Sequence, residues 1–209
     1  MKSVLKPRKM PKQERSQLMV DTLLEATARV LAKRGYSGTN TNLIAETAGV
    51  SVGSIYQYYP NKDSLIAALH KRHAMQMRNM IISVLSRSKN ATLREAVKAL
   101  VRALLEAHSI EPELHRVFEV EFPLDLRKGD YPFNQDISKL VHELLENHRK
   151  EVRQSNLDLA VYIVLNIIKL LVHKAILEPP SHFPLSSIEN AISEAVLAYL
   201  TPPGLRIDN

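Results

Sequence analysis

The chain contains no cysteine. This absence excludes disulfide bonds and thiolate metal sites, and it fits the reducing environment of the cytoplasm. The first twelve residues, MKSVLKPRKMPK, are charged and lack an apolar core, so we do not expect a signal peptide. The most apolar stretch, residues 157–172, is interrupted by Asp158, Asn166 and Lys169 and is too short to span a bilayer. We expect a soluble cytoplasmic protein without a membrane partner.

The sequence motifs of common enzyme classes are also missing. There is no glycine-rich phosphate loop, no paired Glu-x-x-His motif and no serine in a nucleophile elbow. His115 and Glu119 lie one helical turn apart, but two side chains do not make a zinc site. We therefore expect no enzyme activity, no cofactor and no metal. An all-α enzyme with a phosphorylated substrate is the alternative that these absences disfavour.

The charge that is present is unevenly distributed. The net charge is +6, and residues 1–73 carry 12 Lys/Arg against 5 Asp/Glu, whereas the remaining residues carry 16 against 17. A basic segment attracts polyanions, and binding that depends on it weakens with salt. Charge alone fits an anionic membrane surface as well as nucleic acid, so a motif must decide between these partners.

That motif lies in residues 39–62, TNTNLIAETAGVSVGSIYQYYPNK. Thr41 is a good N-cap for a first short helix, and Gly49 stands where a left-handed residue commonly ends one. Ser51 caps a second short helix, which Pro60 stops at Tyr59. Two such helices joined by a tight turn, over about residues 40–59, form a helix-turn-helix whose second helix fits the major groove. The motif predicts double-stranded DNA as a partner.

The second helix of the motif divides into two faces. Ile55 and Tyr59 are four residues apart and suit the inward face, which leaves a set of residues largely outward: Val52, Gly53, Tyr56, Gln57 and Tyr58. Gly53 removes a side chain where the helix approaches the groove floor, and Gln57 can pair with a base edge, preferably adenine. The hydroxyls of Tyr56 and Tyr58 suit phosphate oxygens. Core packing is the alternative for both Tyr58 and Tyr59, and we favour it for Tyr59.

Residues around the motif supply further expected contacts with the DNA backbone. Thr41 lies at a helix N-terminus, where a phosphate is favoured, and Lys62 at the next helix start adds a second clamp. The basic side chains of the N-terminal arm, Lys6, Arg8, Lys9 and Lys12, either follow the DNA or form a solvated tail.

Apolar residues recur at helical spacing along the chain, and no segment alternates like a β-strand. The pattern predicts an all-α fold of about nine helices. We divide it into a flexible basic arm (1–12), a three-helix DNA-binding domain (13–62), a connecting helix (63–86) and a larger helical domain (87–203). The predicted helices span residues 13–34, 61–86, 92–107, 112–118, 137–152, 157–177 and 185–200, besides the two of the motif, and residues 123–132 form a loop.

Residues 35–69, GYSGTNTNLIAETAGVSVGSIYQYYPNKDSLIAAL, closely resemble the N-terminal DNA-binding domain of the TetR family of bacterial transcriptional repressors. The Gly-Tyr pair, the Ala-Gly-Val-Ser and Gly-Ser-Ile-Tyr runs, the aromatic pair before Pro60, and Lys62 carry the resemblance. It covers about residues 14–70. It implies that Tyr56 contacts phosphate and that Asn42 and Ser54 touch bases. With these, the expected DNA-contacting residues are Thr41, Asn42, Ser51, Val52, Gly53, Ser54, Tyr56, Gln57, Tyr58 and Lys62.

The resemblance also implies that the helical domain at 87–203 binds an effector and forms a two-fold dimer through its last two long helices. The residues offer a physical reason, because the helix predicted at 157–177 is apolar on nearly every side and must be buried on every side. The helix at 185–200 is its natural companion in a four-helix interface with a second subunit.

A polar stripe on the same helix comprises Tyr162, Asn166, Lys169 and His173. It either lines a ligand pocket, with Lys169 facing an anionic effector, or forms the solvent edge or dimer rim. His108, His115 and Glu119 are further candidates for a pocket or a metal site, with a structural function as the favoured alternative. His70 and His73 lie three residues apart, and we expect them to be exposed.

The favoured function is a transcriptional repressor that binds a palindromic operator as a homodimer and is released by a small-molecule effector. The palindrome follows from two recognition helices related by a dimer axis. Release by an effector is implied by the resemblance alone. The alternative is an architectural DNA-binding protein without an effector, for which a helical domain of this size would be unnecessary.

Overall fold

The computed structural model describes residues 14–88, 90–123, 126 and 133–202, and this part of the chain is all-α without a β-strand. The predicted basic arm and most of the predicted loop at 123–132 lie outside the described residues. Nine α-helices are present within them: α1 (Glu14–Gly38), α2 (Thr41–Ala48), α3 (Val52–Tyr58), α4 (Lys62–Arg87), α5 (Leu93–Ile110), α6 (Pro112–Arg116), α7 (Phe133–Asn147), α8 (Leu157–Leu177) and α9 (Leu185–Leu200). A π-helical turn, Val117–Glu121, continues α6.

The helices form two compact units. The first unit comprises the described residues within Met1–Ala74 and Glu113–Tyr131, and the second unit comprises those within Met75–Pro112 and Pro132–Asn209. Each unit has its own apolar core. The chain passes from the first unit to the second within α4, returns at Pro112, and leaves again after the π-helical turn.

The core of the first unit is built from α1, α2, α3 and the first half of α4. Leu31, Ile44, Ile55 and Leu65 are fully buried there. Burying one such side chain contributes about 1.5–3 kcal/mol, so these contacts set the angles between the short helices. Phe118 of the π-helical turn is buried in the same core, a packing that the helical pattern of the sequence did not indicate.

The second unit contains the longer helices α5, α7, α8 and α9, together with the second half of α4. Its core includes Val101, Leu145, Ile168 and Val196, which occupy the inward faces of these four helices. The predicted helices at 157–177 and 185–200 are confirmed residue for residue. The α8 helix continues beyond the predicted apolar stretch to 21 residues, so its length does not exclude a membrane span as predicted. The helix is long and apolar enough to cross a membrane by length and composition alone, as core helices of soluble proteins also are. Its buried face in this core accounts for part of that apolar character.

Several helix boundaries differ from the predictions for local reasons. Gly35 does break α1, with φ +67° and ψ 179°, but a further turn follows to Gly38. The helix predicted at 137–152 instead covers Phe133–Asn147, and a turn at His148–Glu151 ends it. The helix predicted at 112–118 continues with the wider π-helical hydrogen bonding after Arg116. Apolar periodicity does not register such changes in backbone hydrogen bonding.

Candidate nucleic-acid interface

The turn between α2 and α3 is fixed by short-range hydrogen bonds. The N-cap of α2 is Asn40, whose side chain accepts from the backbone N–H of Leu43 at 3.0 Å, so the prediction of Thr41 as the cap is wrong by one residue. Gly49 ends α2 at φ +68° and ψ 31°, the left-handed conformation that glycine adopts without strain. Ser51 caps α3, as predicted, by accepting from the N–H of Ser54 at 3.1 Å.

The inward face of α3 contains three residues. Ile55 is fully buried and Tyr59 is 3% exposed, which confirms their predicted burial. Burial raises the pKa of Tyr59 to about 12, so this phenol stays neutral. Tyr58 is only 8% exposed, and its predicted outward position is wrong. It ends the helix beside Tyr59, and its ring packs in the core of the first unit, so the core alternative holds for both tyrosines.

The outward face of the motif carries the remaining expected contacts. Gly53, Gln57 and Asn42 are exposed, and Tyr56 is 42% exposed. The hydroxyl oxygens of Tyr56 and Thr41 lie 3.4 Å apart, so a residue of α3 meets the first residue of α2 at the surface. This arrangement places an amide side chain beside a pair of hydroxyls. Amides read base edges and hydroxyls bind phosphate oxygens, so the surface can contact both parts of DNA.

The start of α3 makes contacts within the protein through Ser51, Val52 and Ser54. The hydroxyls of Ser51 and Ser54 are 2.9 Å apart, and Ser51 is exposed whereas Ser54 is half-buried. Val52 is half-buried and packs against the first-unit core. A base contact by these residues therefore stays a prediction, with Ser51 and Ser54 also serving the helix cap.

Gly53 has open space around its missing side chain. A Cβ built there would meet only the Ser51 Oγ, at 3.7 Å, which is an ordinary contact. The backbone of Gly53 is helical and needs no positive φ. Glycine in a helix lowers stability by roughly 0.5–1 kcal/mol relative to alanine. No requirement of the fold therefore explains this glycine, whereas close approach of a partner molecule to the helix would.

Lys62, predicted to clamp a phosphate, is engaged within the protein. Its Nζ donates to the carbonyl oxygens of Tyr36 at 3.1 Å and Thr39 at 3.2 Å, and it lies 4.4 Å from the centre of the Tyr36 ring. These contacts join the start of α4 to the turn that precedes α2. Lys62 is half-buried, so a phosphate contact would be made in addition to this structural function.

Three of the residues predicted for ligand binding share one groove. Tyr162, Asn166 and Lys169 line one side of a groove of about 620 Å³ in the second unit. Residues of α7 line the other side, where His142 Nε2 lies 3.6 Å from Asp158 Oδ1 of α8. The groove is open and its lining carries both signs of charge, so it is a surface depression with polar walls.

His173, the fourth member of the predicted stripe, lies elsewhere in the second unit. Its ring centroid is 5.0 Å from that of His108. His108 is buried, and its Nδ1 lies 2.6 Å from the carbonyl oxygen of Leu104, one turn earlier in α5. The predicted stripe therefore does not line a single pocket. Three of its residues line the groove, and His173 packs against His108.

His115 and Glu119 belong to the first unit, where they lie near α4. The ring centroids of His115 and His73 are 5.8 Å apart, and the His73 ring also contacts Phe118 at 5.5 Å. His70 packs against Phe118 at 5.0 Å. The prediction that His70 and His73 are exposed is therefore wrong. Burial lowers the pKa of His73, and the charge of Glu119 partly opposes this shift.

Three residues support this surface although no contact was predicted for them from the sequence. Tyr36 accepts from Lys62, donates its hydroxyl proton to Asp63, and donates its backbone N–H to Glu121. Asp63 follows Lys62 in the first turn of α4. Glu121 stands 85 residues beyond Tyr36, and no local pattern connects the two.

The fold and the surface of α2 and α3 define a helix-turn-helix DNA-binding protein. Two family profiles match the chain: the one described as bacterial regulatory proteins, tetR family, at residues 23–69, and the one described as tetracyclin repressor-like, C-terminal domain, at residues 92–200. The second covers half of the chain. The chain therefore belongs to the TetR family, whose members are transcriptional regulators that bind DNA.

Individual proteins match this chain at low sequence identity. The uncharacterized regulator YuxN of Bacillus subtilis is 24% identical over 156 residues, which are 74% of this chain and 46% of YuxN. The nucleoid occlusion factor SlmA of Glaesserella parasuis is 30% identical over 112 residues, 52% of this chain and 53% of SlmA. The chain thus spans about half the length of these curated relatives. The crystal structure of NalD, the secondary repressor of the MexAB-OprM efflux pump of Pseudomonas aeruginosa, has a TM-score of 0.71 at 19% identity, covering 91% of this chain and all of NalD. This likeness concerns the fold.

Proposed function

We propose that this protein is a cytoplasmic transcriptional repressor that binds a palindromic operator as a homodimer and releases it when a small molecule binds. The exposed surface of α2 and α3 carries the proposal, because it combines Gln57 with the paired hydroxyls of Thr41 and Tyr56. Gln57 reads a base edge and the hydroxyls bind the flanking phosphates. Membership of the TetR family, and the absence of an enzyme motif in the sequence, support a regulator rather than an enzyme.

An exposed apolar surface on α8 and α9 supports the homodimer. Leu159 is 52% exposed, Leu170 is 64% exposed and Leu185 is 41% exposed. Only a third of the apolar part of α8 is buried within the chain. Large apolar side chains exposed along adjacent helices are typical of an interface, and a two-fold axis lets each helix pair cover the same surface of its partner.

The effector site is proposed for the second unit. The groove lined by Tyr162, Asn166 and Lys169 offers a hydroxyl, an amide and a cation from one helix. Its opposite wall, with Lys139 and Glu143, adds charges of both signs, which suits a small polar or charged molecule better than an apolar one. Release of DNA then requires that the effector bind more tightly to the conformation with low DNA affinity.

A selection of random duplex DNA by the purified protein tests the operator. A palindromic consensus, with half-sites about one helical turn apart or a multiple of it, is expected for a dimer. Sedimentation of the protein with and without the selected duplex gives the stoichiometry. Recovery of DNA without a consensus, at an affinity that collapses with salt, would overturn the repressor proposal.

An effector-independent architectural protein is the second candidate. The nucleoid occlusion factor among the relatives is the observation that favours it, since its name describes a function on the nucleoid. The selection experiment separates the two candidates by the presence of a consensus. A screen of small molecules for loss of binding to the selected duplex then tests whether the groove has a sensing function, with Lys169→Met as the variant expected to reduce the response.

A further inference from the structure

Three polar atoms of Tyr36 are held by three different charged side chains. Its backbone N–H donates to Oε2 of Glu121 at 2.8 Å, and its hydroxyl donates to Oδ1 of Asp63 at 2.9 Å. Its carbonyl oxygen accepts from Nζ of Lys62 at 3.1 Å. Asp63 and Lys62 begin α4, whereas Glu121 ends the π-helical turn. The backbone at Tyr36 is therefore fixed from two separate parts of the chain.

Glu121 also occupies the space beside Gly35. A Cβ at Gly35 would lie 2.6 Å from Oε2 of Glu121, which is closer than real Cβ atoms approach. The backbone of Gly35, at φ +67° and ψ 179°, is a conformation that essentially only glycine adopts. The missing side chain thus serves two purposes, since it permits the break in α1 and lets the carboxylate reach the N–H of Tyr36.

The Glu121 carboxylate is oriented by its own surroundings. Nη1 of Arg116, one turn earlier, pairs with its Oε1 at 2.9 Å, which leaves Oε2 for Tyr36. The next residue, Phe122, is 1% exposed, and its ring lies 6.0 Å from that of Tyr36. An ion pair on one side and a buried aromatic neighbour on the other restrict where the carboxylate can move.

The turn that Glu121 holds leads directly into α2. Between Tyr36 and α2, Thr39 donates its hydroxyl proton to the carbonyl oxygen of Gly35 at 2.7 Å, and its own carbonyl accepts from Lys62. Asn40 then caps α2, which begins at Thr41. A displacement of the Tyr36 backbone would pass along this short hydrogen-bonded turn to the first residue of α2.

We propose that Glu121 is a positioning residue for DNA recognition. Its carboxylate holds the backbone of Tyr36 and thereby sets where α2 presents Thr41 to the DNA. Glu121 makes no DNA contact itself, since an anion would repel phosphate. The inference rests on the proposed function in that it takes Thr41 as a contact to the operator. It gives the segment 113–121 a function in DNA binding that its sequence does not display.

A set of matched variants tests this proposal. Glu121→Gln and Glu121→Met both lose the ion pair with Arg116, but only the glutamine keeps an oxygen that can accept from Tyr36. Arg116→Met removes the ion pair and keeps the carboxylate. Binding is measured to a duplex selected by the wild-type protein and to a scrambled duplex of equal length, over a range of salt concentrations. Glu121→Ala replaces Glu121→Met if the latter does not fold.

We expect E121M to bind the selected duplex about tenfold more weakly, the scale of one lost hydrogen bond to a charged group. Its binding to the scrambled duplex should weaken by a similar factor, because Thr41 contacts phosphate and phosphate contacts carry no sequence information. Its salt dependence should match the wild type, because no charge that contacts DNA is removed. We expect E121Q and R116M to stay within about twofold of the wild type. Equal binding of the selected duplex by E121M and E121Q would overturn the proposal.

Amide hydrogen exchange at Tyr36 provides a readout that does not depend on DNA. The exchange should accelerate in E121M relative to E121Q, because only the methionine variant leaves this N–H without its acceptor. Failure of the proposed operator function would be visible earlier, as the absence of a consensus for the wild-type protein. Unchanged exchange at Tyr36 in E121M would overturn the positioning function by itself.

Discussion

The hydroxyl oxygen of Tyr56 lies 3.4 Å from that of Thr41, although the two residues belong to different helices of the motif. The pair brings the exposed face of α3 and the N-terminus of α2 to one point on the surface. A phosphate at this point would meet two hydroxyls and the positive end of a helix dipole. The geometry of the motif thus supports the division into residues that hold the DNA backbone and residues that read bases.

Gln57 is the residue expected to read a base. We expect Gln57→Ala to relax discrimination at one base position by roughly 1–3 kcal/mol and to leave the other positions unchanged. Repeating the random-duplex selection with the variant measures this effect. Gln17→Ala, an exposed glutamine of α1, is the matched control. An unchanged consensus for the Gln57 variant would show that this face of α3 does not lie against the bases.

A substitution at Gly53 should change the stability of the protein and its affinity for DNA in opposite directions. We expect Gly53→Ala to increase the free energy of unfolding by about 0.5–1 kcal/mol, because the helix gains a better helix former in open space. The added methyl group should weaken binding to the selected duplex, since we expect the helix to approach the groove at this residue. Urea unfolding and a binding titration measure the two effects. Wild-type affinity in a stabilised variant would contradict the close approach.

Lys62 combines a structural contact with an expected phosphate contact. We expect Lys62→Met to lower the free energy of unfolding by about 1–3 kcal/mol, because two carbonyl oxygens lose a charged donor. If the ammonium also binds phosphate, the slope of log K against log salt falls by about one. Lys71→Met, an exposed lysine of the same helix, is the control. A lower free energy of unfolding with an unchanged salt slope would show that Lys62 has only a structural function.

His73 should make the stability of the protein sensitive to acid. Its pKa is lowered by burial, so the folded state binds a proton less readily than the unfolded chain. The resulting contribution to stability is present above the ordinary histidine pKa, about 6.5, and is lost as the pH falls below it. Glu119 and His115 face the same ring, and the Glu119 charge weakens the effect without reversing it.

We expect the loss of unfolding free energy between pH 7.5 and pH 5.5 to be smaller in His73→Phe than in the wild type. Urea unfolding at both pH values gives this difference directly. His182→Phe, an exposed histidine of the second unit, should retain the wild-type pH dependence. Equal pH dependence in H73F and the wild type would exclude His73 as the source.

Leu170 tests the proposed dimer surface. We expect Leu170→Glu to raise the dimer dissociation constant by more than about tenfold, because a carboxylate would be buried in an apolar interface without a partner. Analytical ultracentrifugation measures the dissociation constant. Ile110→Glu places the same charge at another exposed apolar residue of the second unit and should leave the dimer intact. A dimer that tolerates L170E would locate the interface elsewhere.

Local signals made the motif and the long helices predictable. Gly49 needs a left-handed backbone, Ser51 caps the helix that follows it, and Ile55 and Tyr59 recur at helical spacing. Such signals act within about one turn of helix, so they are legible in the order of the residues. The same reasoning gave the bounds of α8 and α9 and the break at Gly35.

The wrong predictions concern side chains whose orientation was inferred from helical spacing alone. Tyr58 is adjacent to both an outward and an inward residue of α3, and the packing of the first-unit core turned it inward. His73 has the exposure pattern of a surface histidine on α4, yet Phe118 of a later segment covers it. Neither result could be read from the helix on which the residue lies.

The sequence by itself determined an all-α fold and a helix-turn-helix, because caps, turns and helical periodicity depend on near neighbours. Tertiary structure decided which distant residues support the motif. Glu121 and Tyr36 are 85 residues apart in the chain. Their contact forms because the π-helical turn packs against α1 and because Gly35 has no side chain to block the carboxylate. Contacts of this kind arise from the packing of whole helices, which no short pattern encodes.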